Sequence, residues 1–235
     1  MSKPILEVIV CSVSDAVEAN NGAANRLEVV RELELGGLTP SLDLVRQIMD
    51  TVNLPLRVMV RETNTYEAID KDEILRLCTA AAAFASLGVD GLVLGFLSRG
   101  QVDVEVMARI LACAPKTRAT FHHAFEGANN QAEALDQIKC SAQIDRILIR
   151  GGDGSLVERI ERLREYEQLT RPSIKIIAGG GVDIVALKSI ASQTGINEFH
   201  VGRAARSGLR IDGEVRAELV RELMEIAAVE TQTDD

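Results

Sequence analysis

Residues 118–126 carry the densest group of titratable side chains at the end of any strand-like run in this sequence. They read Arg-Ala-Thr-Phe-His-His-Ala-Phe-Glu, a short buried strand that ends in two imidazoles and a carboxylate. Successive side chains of a strand point to opposite faces, so His122 and His123 cannot face the same way. Phe121 and Phe125 share the parity of His123 and suit packing against helices, which leaves His122 for the interior. We therefore predict His122 as the first candidate for acid–base chemistry and His123 as the second. A hydrogen-bonded core histidine is the alternative for His122.

Charged side chains share an inward parity on several other strand-like runs. Apolar neighbours take the opposite parity, which predicts that the charges converge on one interior. They are Glu7 in the first run, Arg26 and Glu28 in the second, Arg57 and Arg61 in the third, and His200 in the eighth. Because unpaired buried charges are costly, the glutamates should neutralise the arginines. The set predicts an anion or metal site with acid and base groups, or a polar network that merely fills the interior.

Two glycine-containing loops follow the last two strand-like runs. Residues 178–182 read Ala-Gly-Gly-Gly-Val, and residues 201–205 read Val-Gly-Arg-Ala-Ala. Glycines let backbone N–H groups approach a ligand closely, and many barrels bind phosphate with these two loops. Tight turns are the alternative. The predicted phosphate or carboxylate site comprises Gly180, Gly181, Gly202 and Arg203.

Metal-ligating residues do not form a familiar spacing motif. The cysteines, which are Cys11, Cys78, Cys113 and Cys140, include no C-x-x-C pair and no zinc-finger spacing. We expect them to be reduced and mostly buried thiols. A mixed nitrogen and oxygen site is the remaining metal hypothesis, and its ligands would come from His122, His200, Glu7 and Glu28.

Eight short apolar runs separated by helix-like segments must position these groups. They repeat roughly every 25 to 30 residues, which predicts a closed (β/α)₈ TIM barrel with its functional groups at the carboxyl ends of the strands. An open doubly wound sheet is the competitor, but no glycine-rich dinucleotide fingerprint follows the first run. We predict one domain over residues 1–229 and a disordered tail over residues 230–235.

Composition excludes some partners. The 235 residues carry a net charge of −9 and only 3% aromatic residues, which argues against a nucleic-acid interface. The first residues do not resemble a signal peptide, and the apolar runs are far too short to span a membrane. We therefore expect a cytoplasmic protein with no nucleic-acid or membrane partner.

Motifs spread over nearly the whole chain have a counterpart in a known family. They occupy residues 6–8, 25–28, 36–41, 58–61, 120–126, 178–182 and 198–200, and the most specific read Gly-Gly-Leu-Thr-Pro-Ser and Phe-His-His-Ala-Phe. In this order they resemble the CutC family, which is associated with copper homeostasis. The resemblance implies a TIM barrel, a cytoplasmic location, copper tolerance or copper binding, and a homodimer, with no settled reaction.

The resemblance extends to the polar residues of the predicted interior, although other positions differ from the family pattern. The matching positions are Glu7, Arg26, Glu28, Arg61, His122 and His200. Ile9 and Val29 stand where the family often has cysteine, the segment 61–67 differs from the family pattern, and His123 replaces the usual arginine. The missing thiols argue against copper in particular.

Two hypotheses of function follow. The first is a CutC-like protein that binds copper without turnover, with His122 and His200 as metal ligands. The second is a lyase, isomerase or hydrolase that acts on a small phosphorylated or carboxylated metabolite. In the second, His122 is the general acid or base and the glutamates Glu7 and Glu28 orient it or act as a second base. The anion is then held by Arg26, Arg57 and Arg61.

Overall fold

Eight parallel strands close into a barrel in the computed structural model, which describes residues 3–68 and 70–231. In chain order the strands are β1 Ile5–Val10, β2 Arg26–Val29, β3 Leu56–Met59, β4 Gly91–Leu94, β5 Leu97–Ser98, β6 Gln101–Val102, β7 Arg118–Phe121, β8 Ile144–Ile149, β9 Lys175–Ala178 and β10 Glu198–Val201. The barrel order is β1-β10-β9-β8-β7-β4-β3-β2, and β5 and β6 form a separate antiparallel hairpin. This arrangement confirms the predicted (β/α)₈ barrel.

Helices cover the outside of the barrel. They are α1 Val13–Asn21, α2 Leu42–Thr51, α3 Lys71–Leu87, α4 Val104–Ala112, α5 Ala124–Gly127, α6 Gln131–Lys139, α7 Leu156–Thr170, α8 Ile184–Thr194 and α9 Ala217–Glu230. Short 3₁₀ turns occupy Leu33–Leu35, Arg203–Ala205 and Ser207–Leu209. Most of the longer helices begin at a polar side chain that accepts a backbone N–H, and at α7 Ser155 and Glu158 form a reciprocal capping box. None of the helices within these described ranges is both long and apolar enough to cross a membrane.

The barrel interior is divided between apolar and charged layers. The main apolar core lies between strands and helices, while a small interior cluster consists of Ile9, Val30, Met59 and Val93. The other inward positions include buried charged residues, so the interior carries ion pairs where many barrels carry branched aliphatic side chains. Charged side chains therefore lie on the barrel strands themselves as well as on the loops.

The predicted end of the strand before His122 is wrong, and the last helix differs by one residue from the predicted end of the domain. Strand β7 ends at Phe121, and the chain turns at once into α5, so residues 124–126 are helical. At the carboxyl end, α9 extends to Glu230, one residue beyond the predicted end of the domain. Residues 232–235 of the predicted tail lie outside the described ranges.

Candidate functional site

A cavity of about 880 Å³ opens at the carboxyl ends of the barrel strands. Its inner wall includes Glu28, His122 and His200, which come from β2, the end of β7 and β10. Loops after the strands complete the wall, and they contribute Arg61, Tyr66, Gly180, Gly181, Gly202 and Arg203. Most of the predicted site residues therefore meet in one place.

A buried carboxylate–imidazole cluster forms the floor of this cavity. Strand β1 lies between β2 and β10, and its Glu7 is in register with both Arg26 and His200. A Glu7 oxygen accepts the His200 Nδ1–H at 2.7 Å, and the other accepts the Nε–H of Arg26. On the far side of the ring, His200 Nε2 lies 3.6 Å from Glu28 Oε2. Glu28 Oε1 is buried and has no hydrogen-bond partner in the described structure.

Burial and neighbouring charges shift the pKa values of the three titratable groups in this cluster. Burial opposes ionisation of Glu7, but Arg26 and the His200 hydrogen bond outweigh it and hold the pKa of Glu7 far below its usual value. Burial raises the pKa of Glu28 to about 7, despite the opposing charge of His200. Burial also disfavours imidazolium, yet the charges of Glu28 and Glu7 raise the pKa of His200. The surroundings therefore favour the protonated form of both Glu28 and His200.

His122 has a different role from His200. Its Nδ1 accepts the backbone N–H of Ala124 at 3.2 Å, so the proton of the neutral ring must lie on Nε2. Burial, followed by the charge of Arg61, lowers the pKa of His122 well below its usual value and keeps the ring neutral. The buried Nε2 lacks a partner among the described residues. His122 is thus a hydrogen-bond donor, and this tautomer offers no lone pair to a metal.

The possible metal ligands differ from those expected. Within residues 3–68 and 70–231, the group that could hold a metal ion is Glu7, Glu28 and His200, whose ligand atoms all lie within 4.8 Å of one another. His122 is not part of that group, so the predicted pairing of His122 with His200 is not formed. All four cysteines are free, but none is fully buried and Cys140 is exposed, contrary to the expectation of mostly buried thiols.

The four predicted anion-holding arginines separate into two pairs. Arg61 lines the cavity, and its guanidinium donates to the backbone oxygens of Thr63 at 2.7 Å and Leu35 at 2.9 Å. No carboxylate within the described ranges forms an ion pair with it, so its charge is available to a ligand. Arg203 lies on the rim beside Gly181.

The other two arginines do not reach the cavity. Arg26 is held between Glu7 and Glu198, below the floor. Arg57 lies near the amino ends of the strands, where Asp90 and Asp145 bind it at 2.7 to 3.0 Å. Arg26 and Arg57 are therefore separated from the other predicted anion-holding residues. Parity places a side chain inside the barrel without giving its height along the axis.

The sequence did not predict Tyr66 and Glu198 near the site, and it predicted the wrong orientation for His123, the second candidate for acid–base chemistry. His123 was expected to face away, but the chain leaves β7 before it, and its ring joins the cavity wall. Tyr66 packs its ring 5.4 Å from that of His122, and Arg61 lies 5.5 Å from the Tyr66 ring. Glu198 binds Arg26 and Arg146 beneath the floor. Of Tyr66 and Glu198, only Glu198 had a sequence signal, since it shares the parity of His200.

Comparison with known proteins points to one family. A sequence profile described as the CutC family matches residues 4–205. The chain is 31% identical over 198 residues to a human protein named copper homeostasis protein cutC homolog, covering 83% of this chain and 72% of that one. It is 32% identical over 225 residues to a CutC family protein of Bacteroides fragilis, covering 94% and 87%.

Solved structures support the fold. The putative copper homeostasis protein CutC of Streptococcus agalactiae superposes with a TM-score of 0.77 at 23% identity, over 84% of this chain and 97% of that one. A monomeric form of phosphoribosylanthranilate isomerase from Thermotoga maritima gives a TM-score of 0.62 at 10% identity, over 95% and 98%. At these identities the similarity extends to the barrel and no further.

Proposed function

Because the chain belongs to the CutC family, whose members include proteins named for copper homeostasis, we propose that it binds a copper(II) ion through Glu28 and His200. One observation carries this proposal. His200 Nε2 and Glu28 Oε2 lie 3.6 Å apart, beside a Glu28 oxygen that has no partner in the described structure. Two donors that are each about 2 Å from one metal ion can be separated by up to about 4 Å, so the pair fits an ion.

The surroundings of this pair favour a metal ligand role for His200. Glu7 accepts the Nδ1–H, which fixes the tautomer that leaves Nε2 free, and this carboxylate–histidine arrangement is common behind metal ligands. Carboxylate and imidazole donors suit copper(II), whereas copper(I) prefers sulfur. Ile9 lines this cavity where the family often has cysteine, so the donor set favours the divalent ion.

Copper binding should compete with protons at this site. Glu28, whose pKa is raised to about 7, and His200, whose pKa is also raised, must both lose their protons to act as ligands. We expect affinity for Cu²⁺ to fall as the pH drops below 7.

The test is calorimetric titration of Cu²⁺ into untagged protein, together with electron paramagnetic resonance of the complex. We expect one ion per chain, nitrogen and oxygen ligation, and at least a tenfold loss of affinity in Glu28→Gln and in His200→Gln. His123→Gln is the matched control, since it removes an imidazole from the same cavity wall but outside the cluster. Unchanged affinity in both cluster variants would contradict the proposal.

A second candidate function is an enzyme for a small phosphorylated or carboxylated metabolite. The observation that favours it is the cavity of about 880 Å³, which is far larger than an ion requires and within the range of small-molecule sites. Arg61 would hold the anion and the His122 Nε2–H would bind a substrate oxygen. Native mass spectrometry should then detect a small anionic adduct on wild-type protein that is lost in Arg61→Met. An adduct retained by that variant would contradict the assignment.

We also propose a cytoplasmic location and a homo-oligomer. All four cysteines are free thiols, the state that a reducing compartment maintains. The oligomer rests on the family resemblance, and light scattering on the purified protein would test it. A monomer at micromolar concentration would contradict it.

A further inference from the structure

A smaller cavity of about 350 Å³ adjoins the main one. It shares Tyr66, His123 and Gly180 with the larger cavity, and its remaining wall includes Glu126 and Arg150. The imidazole of His123 therefore stands where the two spaces meet, and about a third of its side chain is exposed.

Glu126 holds His123 in one tautomer. One Glu126 oxygen accepts backbone N–H groups from Arg150 at 3.0 Å and Gly152 at 2.7 Å, and the other lies 3.1 Å from His123 Nδ1. Although burial opposes it, these hydrogen bonds and His123 itself lower the pKa of Glu126, so the carboxylate is ionised and can only accept. In the neutral ring, Nδ1 of His123 must then carry the proton, and Nε2 keeps its lone pair.

The two consecutive histidines consequently present opposite chemistry. His122 has its proton on Nε2 because Ala124 donates to its Nδ1, whereas His123 has a free lone pair on Nε2 because Glu126 accepts from its Nδ1. Both rings contribute to the wall of the main cavity, because β7 ends before them and α5 begins directly after. A ligand there would meet a donor and a base side by side.

We propose that His123 is a general base for a small anionic carbonyl compound, with Glu126 as its positioning residue. His123 Nε2 takes a proton from the carbon next to the carbonyl, the C–H electron pair forms the enolate, and the His122 Nε2–H hydrogen-bonds the enolate oxygen. The same proton returns to a substrate carbon, so the step is a balanced isomerisation that needs no oxidant or reductant. Arg61, which has no carboxylate partner in the described ranges, holds the anionic group. This inference rests on the second candidate function and is independent of copper.

The test uses diethyl pyrocarbonate, which acylates an imidazole nitrogen that carries an accessible lone pair. Metal-free protein is treated over a pH series, with and without inorganic phosphate, and the modified peptides are quantified by mass spectrometry. We expect His123 to react at least tenfold faster than His122 or His200, and phosphate to slow its reaction in wild type but not in Arg61→Met.

Glu126→Gln separates positioning from simple packing. Glutamine can donate as well as accept, so the neutral His123 ring should no longer be held with its proton on Nδ1, and imidazole ¹⁵N chemical shifts should report the change of tautomer. Faster reaction at His122 or His200, no protection by phosphate, or an unchanged His123 tautomer in Glu126→Gln would each overturn the proposal. None of these results would change the copper affinities of the Glu28 and His200 variants. None would contradict an anionic adduct that is lost in Arg61→Met, so the proposal can fail while either candidate function remains.

Discussion

Replacing Asp145 with asparagine should destabilise the protein and leave the cavity chemistry intact. Asp145, near the start of β8, binds both terminal nitrogens of the Arg57 guanidinium, at 2.9 and 3.0 Å. Arg57 is 0% exposed, and in the described ranges Asp90, at 2.7 Å, is its other carboxylate partner. The variant therefore leaves a fully buried cation with one ionised partner in place of two.

The expected loss follows from these contacts. Asparagine keeps one oxygen acceptor but loses the charge and the second acceptor, and a hydrogen bond to a charged group contributes about 1.5 to 3 kcal/mol. Removing one partner of a buried ion pair costs about 3 to 5 kcal/mol. Since Arg57 retains Asp90, we expect Asp145→Asn to lower the free energy of unfolding by about 3 kcal/mol.

Two matched variants calibrate this value. Asp90→Asn removes one negative charge beside the same guanidinium and keeps an acceptor for its single hydrogen bond. Because the Asp90 side chain is also 37% exposed, we expect a loss of about 1 kcal/mol. Asp43→Asn breaks a solvent-exposed pair with Arg46 and should cost less than about 0.5 kcal/mol.

Urea unfolding followed by far-ultraviolet circular dichroism measures all three variants, and Cu²⁺ titration is repeated on each folded protein. The reasoning is refuted if Asp145→Asn costs no more than Asp43→Asn. It is also refuted if Asp145→Asn weakens Cu²⁺ binding as much as Glu28→Gln does, because neither Asp145 nor Arg57 lines the cavity.

Three further variants address the site and one helix. Burial raises the pKa of Glu28 from 4.5 to about 7, so wild type should lose up to about 3 kcal/mol of stability as the pH rises through that interval. Glu28→Gln cannot ionise, so its free energy of unfolding should not show this loss between pH 4.5 and pH 8. The same pH dependence in wild type and variant would contradict the effect of burial on Glu28. The new Cβ of Gly95→Ala would lie 2.7 Å from His122 Nδ1. This contact should lower the free energy of unfolding by about 1 to 3 kcal/mol and shift the NMR resonances of the His122 ring. Unshifted resonances would rule out the close packing. Ser155→Ala removes the capping box with Glu158 and should cost about 1 kcal/mol in urea unfolding; no loss would mean that α7 does not depend on its cap.

Local patterns were sufficient to predict the barrel. Eight apolar runs separated by helix-like segments predict eight strands, and the alternation around Glu7, Glu28 and His200 correctly predicts which face of each strand is inward. Both signals depend on neighbouring residues alone, because the side-chain period of a strand is two and that of a helix is near four. The same alternation failed at His123, where the strand ended earlier than its apolar pattern indicated.

The sequence by itself determined the fold class, the family and part of the set of polar side chains that enter the barrel. Only the tertiary structure decided which of them meet. Glu7 and His200 are 193 residues apart in the chain, and closure of the barrel brings β1 against β10 so that they form a hydrogen bond. Arg57 and Arg61 share one parity, yet they lie at opposite ends of the barrel. The physical reason is that parity is a local property of one strand, whereas the height of a side chain and its partners depend on the stagger between strands, which is established only when the whole sheet closes.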